Sequence, residues 1–286
     1  MTAWCSLDEA AASIPSGSWL APGGFMIGRA PMALVFALIR AGRKGLRMVS
    51  LPNPLPAEML VAAGAAARIE LLFGAITLDN RVRQMPSLKR AIENAEISWA
   101  EHDGYRIVQR LRAASMGLPF IPAPDADVSE VSTLDPPAYV ADPFTGVRVP
   151  VERAFHPDVA LVHAHAADDD GNLYLEDPTT DLLMAGASRR VVATAEVRVR
   201  QLPRVTIPAF QVERVVEAPG GAWPTGCVGR YPHDEAALLT YLAEAEAGRG
   251  AAWIRAMQDA RATLPDLSTP REASPPDSLR SPRGAA

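Results

Sequence analysis

The sequence predicts an α/β protein built as a doubly wound, mostly parallel sheet with helices on both faces. Short apolar runs typical of strands alternate with helical segments between residues 6 and 263, at the spacing of parallel βαβ units. No internal repeat is visible in this alternation. An early strand is also joined to the next helix by a glycine turn, a connection that occurs at the ligand-binding edge of such sheets.

The first predicted elements are a helix and a strand. Residues 6–14 predict a helix with Ser6 as its N-cap and Glu9 as the capping-box partner. A Pro-Ser-Gly sequence ends that helix, and the apolar residues 19–21 then predict a buried strand.

A glycine turn follows this strand. Gly23 and Gly24 can adopt backbone angles that are closed to other residues, and they let a ligand approach the backbone. Pro31 suits the first position of the nearly all-apolar helix that follows and ends near residues 42–45. The spacing of Gly23, Gly24 and Gly28 does not match a dinucleotide-binding fingerprint. From spacing alone, a ligand-binding role and a packing role for the turn remain equally open.

The remaining elements continue the alternation. Strands or extended segments are predicted at residues 46–51, 69–76, 96–100, 118–122, 159–167, 191–199 and 212–216, with a hairpin return at 173–175. Helices are predicted at residues 57–66, 86–95, 105–115, 180–188 and 234–262. Residues 123–150 are rich in Pro, Asp, Ser and Thr and predict a long loop or an insertion at the edge of the fold. We expect one domain over residues 1–263 and a disordered tail at 264–286.

Composition narrows the classes of function. A formal net charge of −5 gives no electrostatic basis for nucleic-acid binding. The sequence shows neither a signal peptide nor a membrane-spanning apolar run, so we expect a cytoplasmic protein without a membrane partner. Cys5 and Cys227 lie far apart and have no zinc-type spacing, so neither a disulfide framework nor a zinc site is expected.

Two further clusters carry candidate chemistry. Glu101, His102 and Asp103 fall at the end of a predicted strand, where an acid could orient a substrate or transfer a proton. The competing interpretation is that Asp103 caps the next helix. His163 and His165 lie two apart on a predicted strand and so share a face, but we expect hydrogen-bonded histidines there rather than a metal site.

A family resemblance adds to these observations. Residues 16–31 read SGSWLAPGGFMIGRAP, which resembles the A-subunit signature of the family I coenzyme A transferases, the glutaconate and 3-oxoacid CoA-transferase group. Ser16, Pro22 and Arg29 depart from that signature, the last standing where glycine is usual. Similarity continues through three later segments, which are AASMGLPFIP at 113–122, PDVALVHAHAAD at 157–168 and EAPGGA at 217–222.

The resemblance implies a doubly wound chain that pairs, in a heterodimer or heterotetramer, with a homologous B subunit. In such enzymes the B subunit carries the catalytic glutamate, which attacks the acyl-CoA and forms a glutamyl thioester. This chain shows no glutamate in that setting, so no catalytic residue is assigned with certainty, and Glu101 is a candidate. Gly23, Gly24, Phe25 and Arg29 are the expected substrate and CoA contacts, the turn through backbone donors facing the thioester and Arg29 through a carboxylate or phosphate. Coenzyme A is expected as a substrate, with no permanently bound cofactor and no metal.

Two alternatives remain. Arg29 and the Ala-Pro-Met-Ala helix start at residues 30–33 are similar to the A subunits of steroid-ring-cleaving CoA hydrolases, which hydrolyse a carbon–carbon bond of a cyclic acyl-CoA. That subgroup relies on an acidic residue near the segment that matches residues 101–104. A non-catalytic small-molecule sensor is the third hypothesis, and it ranks low because no basic helix-turn-helix precedes Ser16.

Overall fold

The computed structural model describes residues 2–123 and 135–263. The strands, in chain order, are β1 (Ala3–Trp4), β2 (Trp19–Pro22), β3 (Leu46–Ser50), β4 (Ala66–Leu71), β5 (Ala75–Leu78), β6 (Arg81–Gln84), β7 (Ser98–Glu101), β8 (Phe120–Pro122), β9 (Ala138–Ala141), β10 (Arg148–Arg153), β11 (Val159–Ala164), β12 (Ala166–Asp168), β13 (Leu173–Tyr174), β14 (Val191–Ala195), β15 (Arg198–Val199) and β16 (Val212–Glu217). The helices are α1 (Leu7–Ala12), α2 (Met32–Arg40), α3 (Pro54–Ala62), α4 (Pro86–Glu93), α5 (Gly104–Ser115), α6 (Asp181–Ala187), α7 (Glu235–Glu246) and α8 (Gly250–Thr263), with a 3-10 turn at Ala209–Gln211.

One large sheet organises these elements. Its eight strands run in the order β1-β16-β14-β11-β2-β3-β4-β7, and every neighbouring pair is parallel. From β2 the chain builds outward through β3 to β7, and it then returns to β11 on the other side of β2. The strand order therefore reverses between β2 and β11, and ligands of open α/β sheets bind at such a switch point.

Helices cover both faces of the sheet, which confirms the predicted fold class. On one face the apolar side chains of α1–α4, α7 and α8 form a single cluster around the fully buried Leu34 and Leu38 of α2. On the other face α5 and α6 pack over a second cluster that includes Ile107, Leu111 and Met184. Burial on both sides explains why β11 and β14 consist almost entirely of apolar residues.

Several predicted elements are confirmed with small shifts at their ends. Ser6 caps α1 through a complete capping box with Glu9. Helix α3 begins at Pro54, three residues before the predicted start, because proline is well placed in the first turn, where no N–H is needed. The predicted helix at 234–262 is two helices, separated at residues 247–249, where Gly248 adopts φ +77°.

Three predicted strands needed correction. The run 69–76 contains the end of β4 and the start of β5, which forms a separate hairpin with β6 around Asp79 and Asn80. Both turn residues have positive φ, 46° and 60°, as a tight hairpin turn requires. The runs 159–167 and 191–199 likewise each divide between the large sheet and the small sheet β13-β12-β15.

The predicted loop at 123–150 also carries structure in its described part. Strands β9 and β10 lie within or overlap it and pair with β8 as a three-stranded antiparallel sheet. Residues 124–134 and the tail predicted at 264–286 lie outside the described residues. In the part of the chain that the structure describes, no helix is long and apolar enough to cross a membrane.

Candidate functional site

The glycine turn leaves β2 at the switch point and has an unusual backbone. Gly24 has φ +81°, and two residues with side chains, Met26 and Arg29, also lie in the left-handed region at 53° and 52°. Phe25 and Gly28 close the turn through reciprocal N–H···O bonds of 2.9 and 2.8 Å. Non-glycine residues in this region cost energy and concentrate at functional sites. The sequence motif did not reveal the strain at Met26 and Arg29.

The N–H donors of Gly23, Gly24 and Phe25, which were expected to face a thioester, have acceptors within the chain. Gly23 donates to Leu161 O at 2.8 Å, and Gly24 donates to Asp181 Oδ1 at 3.1 Å. Phe25 donates to the carbonyl of Gly28. These three donors are therefore not free for a thioester oxyanion in this conformation, and the role of the turn in substrate binding stays a prediction. The ring of Phe25 is exposed.

Arg29 is held in a buried ion network. Its guanidinium contacts both carboxylate oxygens of Asp181, with Nη1 at 3.0 Å and Nη2 at 2.6 Å, and its Nε donates to Asp177 at 2.7 Å. Two carbonyls, of His163 and Asp177, accept its remaining hydrogen bonds. Burial lowers the pKa of Arg29, but the hydrogen bonds and charges of Asp181 and Asp177 outweigh it and raise the pKa.

We call the turn at residues 23–29, with Asp177 and Asp181, the turn network. Only 1% of Arg29 and none of Asp181 reaches solvent, so contact between this guanidinium and a substrate would require the network to open. The predicted substrate contact of Arg29 thus stays a prediction, while its structural role in holding the turn is visible. Asp181 lies at the start of α6 and has no signature in the sequence that links it to a turn more than 150 residues earlier.

Apolar side chains surround the turn at the surface. Phe25 is 45% exposed, and Leu182, which follows the Asp181 anchor, is 51% exposed. Val228 is 55% exposed and follows Gly226, whose carbonyl accepts from Arg29 N at 2.6 Å. Each of these exposed apolar residues therefore belongs to the turn or lies within two residues of a group that is hydrogen-bonded to it.

A second polar cluster lies at the ends of β11 and β14. His163 bonds Thr194 Oγ1 through Nδ1 at 2.8 Å and Glu196 Oε1 through Nε2 at 2.6 Å. The same Glu196 oxygen accepts from the Tyr231 hydroxyl at 2.5 Å, and Gly220 N donates to the other oxygen at 2.9 Å. Burial raises the pKa of Glu196, but the hydrogen bond and charge of His163 and the Tyr231 bond outweigh it, so the net pKa is lowered.

The Gly-Gly-Ala segment at residues 220–222 packs against this cluster, and Gly221 has no room for a side chain. A Cβ atom on Gly221 would lie 2.8 Å from His163 Cε1 and 2.7 Å from Ala218 O, so only glycine fits there. Burial and the charge of Glu196 raise the pKa of the Tyr231 hydroxyl, which keeps it a hydrogen-bond donor. The sequence indicated the glycines, but not their packing against a histidine.

Cys227 stands beside this cluster. His163, Glu196 and Cys227 offer ligand atoms that all lie within 4.8 Å of one another, a set that a transition metal can use. Burial and the charge of Glu196 raise the pKa of the Cys227 thiol, and both Cys227 and Cys5 are free. Within this set His163 and Glu196 are hydrogen-bonded directly to each other.

His165 lies apart from His163, which corrects the expectation that the two share one strand face. The chain leaves the large sheet at Ala164 and enters β12 at Ala166, with His165 between them. Its Nε2 bonds Val228 O at 3.0 Å, and its Nδ1 accepts from Glu176 N at 3.2 Å. Burial, with the nearby charge of Arg29, lowers the pKa of His165. Both histidines are hydrogen-bonded, as predicted.

The three residues of segment 101–103 have different environments in the structure. Asp103 caps α5 by accepting from the N–H groups of Tyr105 and Arg106, so the capping interpretation is confirmed. Glu101 is exposed at the end of β7, and its catalytic role stays a prediction. His102 is buried and bonds Glu70 of β4, a pair that the sequence did not reveal because the two residues lie 32 positions apart.

Comparisons with known proteins agree with this architecture. A family model described as coenzyme A transferase matches residues 5–218. The chain is 32% identical to the IpdA subunit of the cholesterol ring-cleaving hydrolase of Rhodococcus jostii, over 80% of this chain and 82% of that protein. It is 28% identical to the A subunit of glutaconate CoA-transferase from Acidaminococcus fermentans, over 82% of this chain and 80% of that one.

Solved structures extend these matches. A crystal structure of a variant of the decarboxylase AibA/AibB contains a chain that is 64% identical to this one, with a TM-score of 0.88 over 90% of this chain and 98% of that chain. The crystal structure of the Acidaminococcus glutaconate CoA-transferase has the same fold, with a TM-score of 0.77 at 23% identity. An uncharacterized Archaeoglobus fulgidus protein is 32% identical, and this chain spans only 57% of its length.

Proposed function

The chain belongs to the coenzyme A transferase family, as a homologue of its A subunits, and we propose that it is one component of a heteromeric enzyme acting on an acyl-CoA. The relatives named as A subunits support a B-type partner, and we propose a heterodimer or heterotetramer. A cytoplasmic location is part of the proposal, because acyl-CoA substrates are intracellular metabolites.

The exposed part of the turn network, which is the Phe25 ring and the backbone beside it, is the proposed contact with substrate and partner. Other groups approach the backbone closely at Gly23 and Gly24, so a side chain has no room there. A Cβ on Gly23 would lie 2.1 Å from Asp181 Oδ1. The Phe25 ring then stands exposed at the carboxyl edge of the central strands. We assign Gly23, Gly24 and Phe25 to the walls of the acyl-CoA site and Arg29 to holding their conformation. Glu101 remains a candidate for contact with substrate.

CoA transfer to a carboxylate acceptor is the first reaction that this chain would support. It is the activity named for the glutaconate CoA-transferase relative, which aligns with 82% of this chain. In this proposal a carboxylate of the B-type partner attacks the thioester, and the present chain shapes the cleft in which acyl-CoA lies. This chain's own part is to position the substrate and to exclude water.

Decarboxylation is the second candidate, and one observation favours it specifically. Identity to the decarboxylase AibA/AibB chain is 64%, against 28–32% for the named transferase and hydrolase relatives. Loss of CO2 from an acyl-CoA with a distal carboxylate leaves the bonding electron pair on carbon. A conjugated thioester can accept that pair as a dienolate, and a proton then returns to carbon. Both reactions begin with acyl-CoA bound in the same cleft. Transfer also needs the partner's attacking carboxylate and an acceptor, whereas decarboxylation needs a proton for the carbon that loses CO2.

The identity of the products separates these reactions. The complex with its B-type partner would be incubated with glutaconyl-CoA, with and without acetate. Acetyl-CoA formed only with acetate supports transfer, whereas a C4 acyl-CoA and CO2 formed without acetate support decarboxylation. Free CoA formed in equal amount under both conditions would contradict both candidates. A steroid-type cyclic acyl-CoA, opened with uptake of water, would instead support the ring-cleaving alternative.

A pair of phenylalanines tests the proposed rim. Phe25→Ala removes the exposed ring at the turn, and Phe144→Ala removes a ring that is 95% exposed at the β9–β10 connection. We expect Phe25→Ala to raise KM for acyl-CoA or to weaken partner binding, while Phe144→Ala changes neither. Equal effects of the two variants would remove Phe25 from the proposed site.

A further inference from the structure

A pocket of about 580 Å³ is lined by residues of β4, β7, α5 and β10, and none of its lining residues belongs to the turn network. Its lining consists of residues at the ends of β4 and β7, two residues of α5, Asp135 and residues 153–156. Its volume lies in the range of small-molecule sites. We call it the Arg153 pocket.

The inner part of the pocket contains a chain of three paired side chains. Arg68 Nε donates to Glu70 Oε1 at 2.6 Å, and Glu70 Oε2 bonds His102 Nε2. Burial raises the pKa of Glu70, but the bonds from His102 and Arg68 outweigh it and lower the pKa, so this carboxyl is ionised. An ionised carboxylate accepts hydrogen bonds only, so His102 carries its proton on Nε2. The Nδ1 atom of His102 has no hydrogen-bond partner among the described residues.

The carboxylates around the pocket are already neutralised. Glu70 is paired with Arg68. On α5, Arg106 and Arg110 both bind Glu152, and Arg110 also binds Asp135. Two arginines therefore face two carboxylates in that group, with no acidic charge left over. The buried Nη2 of Arg106 even lacks an acceptor among the described residues.

Among the described residues, Arg153 is the cation of the pocket lining that has no acidic partner. Arg153 is exposed, and neither its guanidinium nor the imidazole of His156 has a partner within the described ranges. The lining also contains three apolar residues, Ile107, Ala154 and Phe155. Phe155 is fixed by an edge-to-face contact with Trp19, 5.1 Å between ring centroids.

We propose that the Arg153 pocket binds a small organic acid, with its carboxylate on Arg153 and His156 and its apolar chain against Ile107 and Phe155. A guanidinium with its fork of donors matches a carboxylate, and the apolar walls favour a hydrocarbon body over a fully hydrated anion such as phosphate. The free Nδ1 of His102 marks the polar inner end.

Binding of three probes to the purified full-length chain tests the proposal by calorimetry without acyl-CoA, so its outcome is independent of the proposed reaction. Hexanoate carries the carboxylate and the chain, hexanamide lacks the charge, and inorganic phosphate lacks the chain. We expect hexanoate to bind, and hexanamide and phosphate to bind at least about tenfold more weakly. Equal binding of hexanamide or phosphate, or no binding of hexanoate at millimolar concentration, would overturn the assignment.

Three substitutions localise the binding. Arg153→Gln and His156→Gln change exposed side chains, and Arg200→Gln changes an exposed arginine near β15 as the matched control. We expect Arg153→Gln to weaken hexanoate about tenfold, His156→Gln less, and Arg200→Gln not at all. Circular dichroism checks that each variant is folded. Unchanged hexanoate affinity in both Arg153→Gln and His156→Gln would place the anion elsewhere and overturn the proposal.

Discussion

The turn network and the Arg153 pocket both gather arginines and carboxylates at the sheet, but they leave different groups unsatisfied. In the turn network the cation is 1% exposed, and its donors are all taken by Asp177, Asp181 and two carbonyls. In the pocket the inner charges are paired, while Arg153 and His156 stay open to solvent. A buried pair that is complete supports conformation, whereas an open charge beside apolar walls is available to a ligand.

This contrast predicts where substitutions affect folding and where they affect binding. Removing one partner of a buried pair leaves an uncompensated charge, which costs far more than the pair contributes as a whole. Removing an exposed and unpaired charge leaves nothing buried behind. The expected effects on the free energy of unfolding therefore fall steeply from the turn network to the pocket.

Arg29→Met should have the largest effect. It would leave the fully buried Asp181 without its cation, and we expect the free energy of unfolding to fall by about 3–5 kcal/mol. Urea unfolding followed by circular dichroism measures the change. Adding Asp181→Leu to the same chain removes the stranded charge, so the double variant should recover part of the loss. A stable Arg29→Met protein would show that the network does not hold the turn.

Gly24→Ala should follow, at about 2–3 kcal/mol. The new Cβ would lie 2.6 Å from the carbonyl oxygens of Gly28 and Arg29, in a residue that already has φ +81°. Gly17→Ala is the matched control, because Gly17 has φ +79° and no atom within 4 Å of the Cβ position. That control isolates the backbone strain, at about 1 kcal/mol. If the two variants lost equal stability, the contact between the new Cβ and the carbonyl oxygens of Gly28 and Arg29 would not contribute to the loss.

The sequence was informative about the turn and the fold for physical reasons. Alternating apolar runs report burial, which is a local property, and so the strands of the large sheet and the covering helices could be predicted. The glycines at 23 and 24 likewise report a backbone need that no other residue meets. Ends of elements were less certain, as at Pro54, because one residue can serve either a loop or a first helical turn.

Side-chain pairs whose members lie far apart in the sequence could not be predicted in this way. The sequence does not show that Arg29 has acidic partners, because Asp177 and Asp181 reach it only when β11 and α6 assemble beside β2. The pairing of Glu70 with His102 depends in the same way on the parallel register of β4 and β7. Residue type predicted which groups could do chemistry, but the three-dimensional fold decided which of them are already occupied.

Acid should affect stability through His165 beside the turn network. Its pKa is lowered in the folded chain, first by burial and then by Arg29, whereas in the unfolded chain the pKa of a histidine is about 6.5. The unfolded state therefore binds more protons below that pH, and the free energy of unfolding falls as pH drops, by up to about 1.4 kcal/mol per pH unit. Urea unfolding at pH 7.5 and 5.5 measures the fall. His165→Gln should lessen this loss of stability. If the variant loses as much stability between pH 7.5 and 5.5 as the parent, other groups cause the loss.

Arg153→Gln should have the smallest effect on stability, within about 0.5 kcal/mol, because the side chain is exposed and no described residue pairs with it. The same substitution is expected to weaken hexanoate binding, so one variant separates binding from folding. Arg29→Met would show the opposite combination, lost stability with no direct contact to the probe. A loss of several kcal/mol in Arg153→Gln would mean that the pocket, like the turn network, is a closed structural element whose charges are needed to hold β10 against α5.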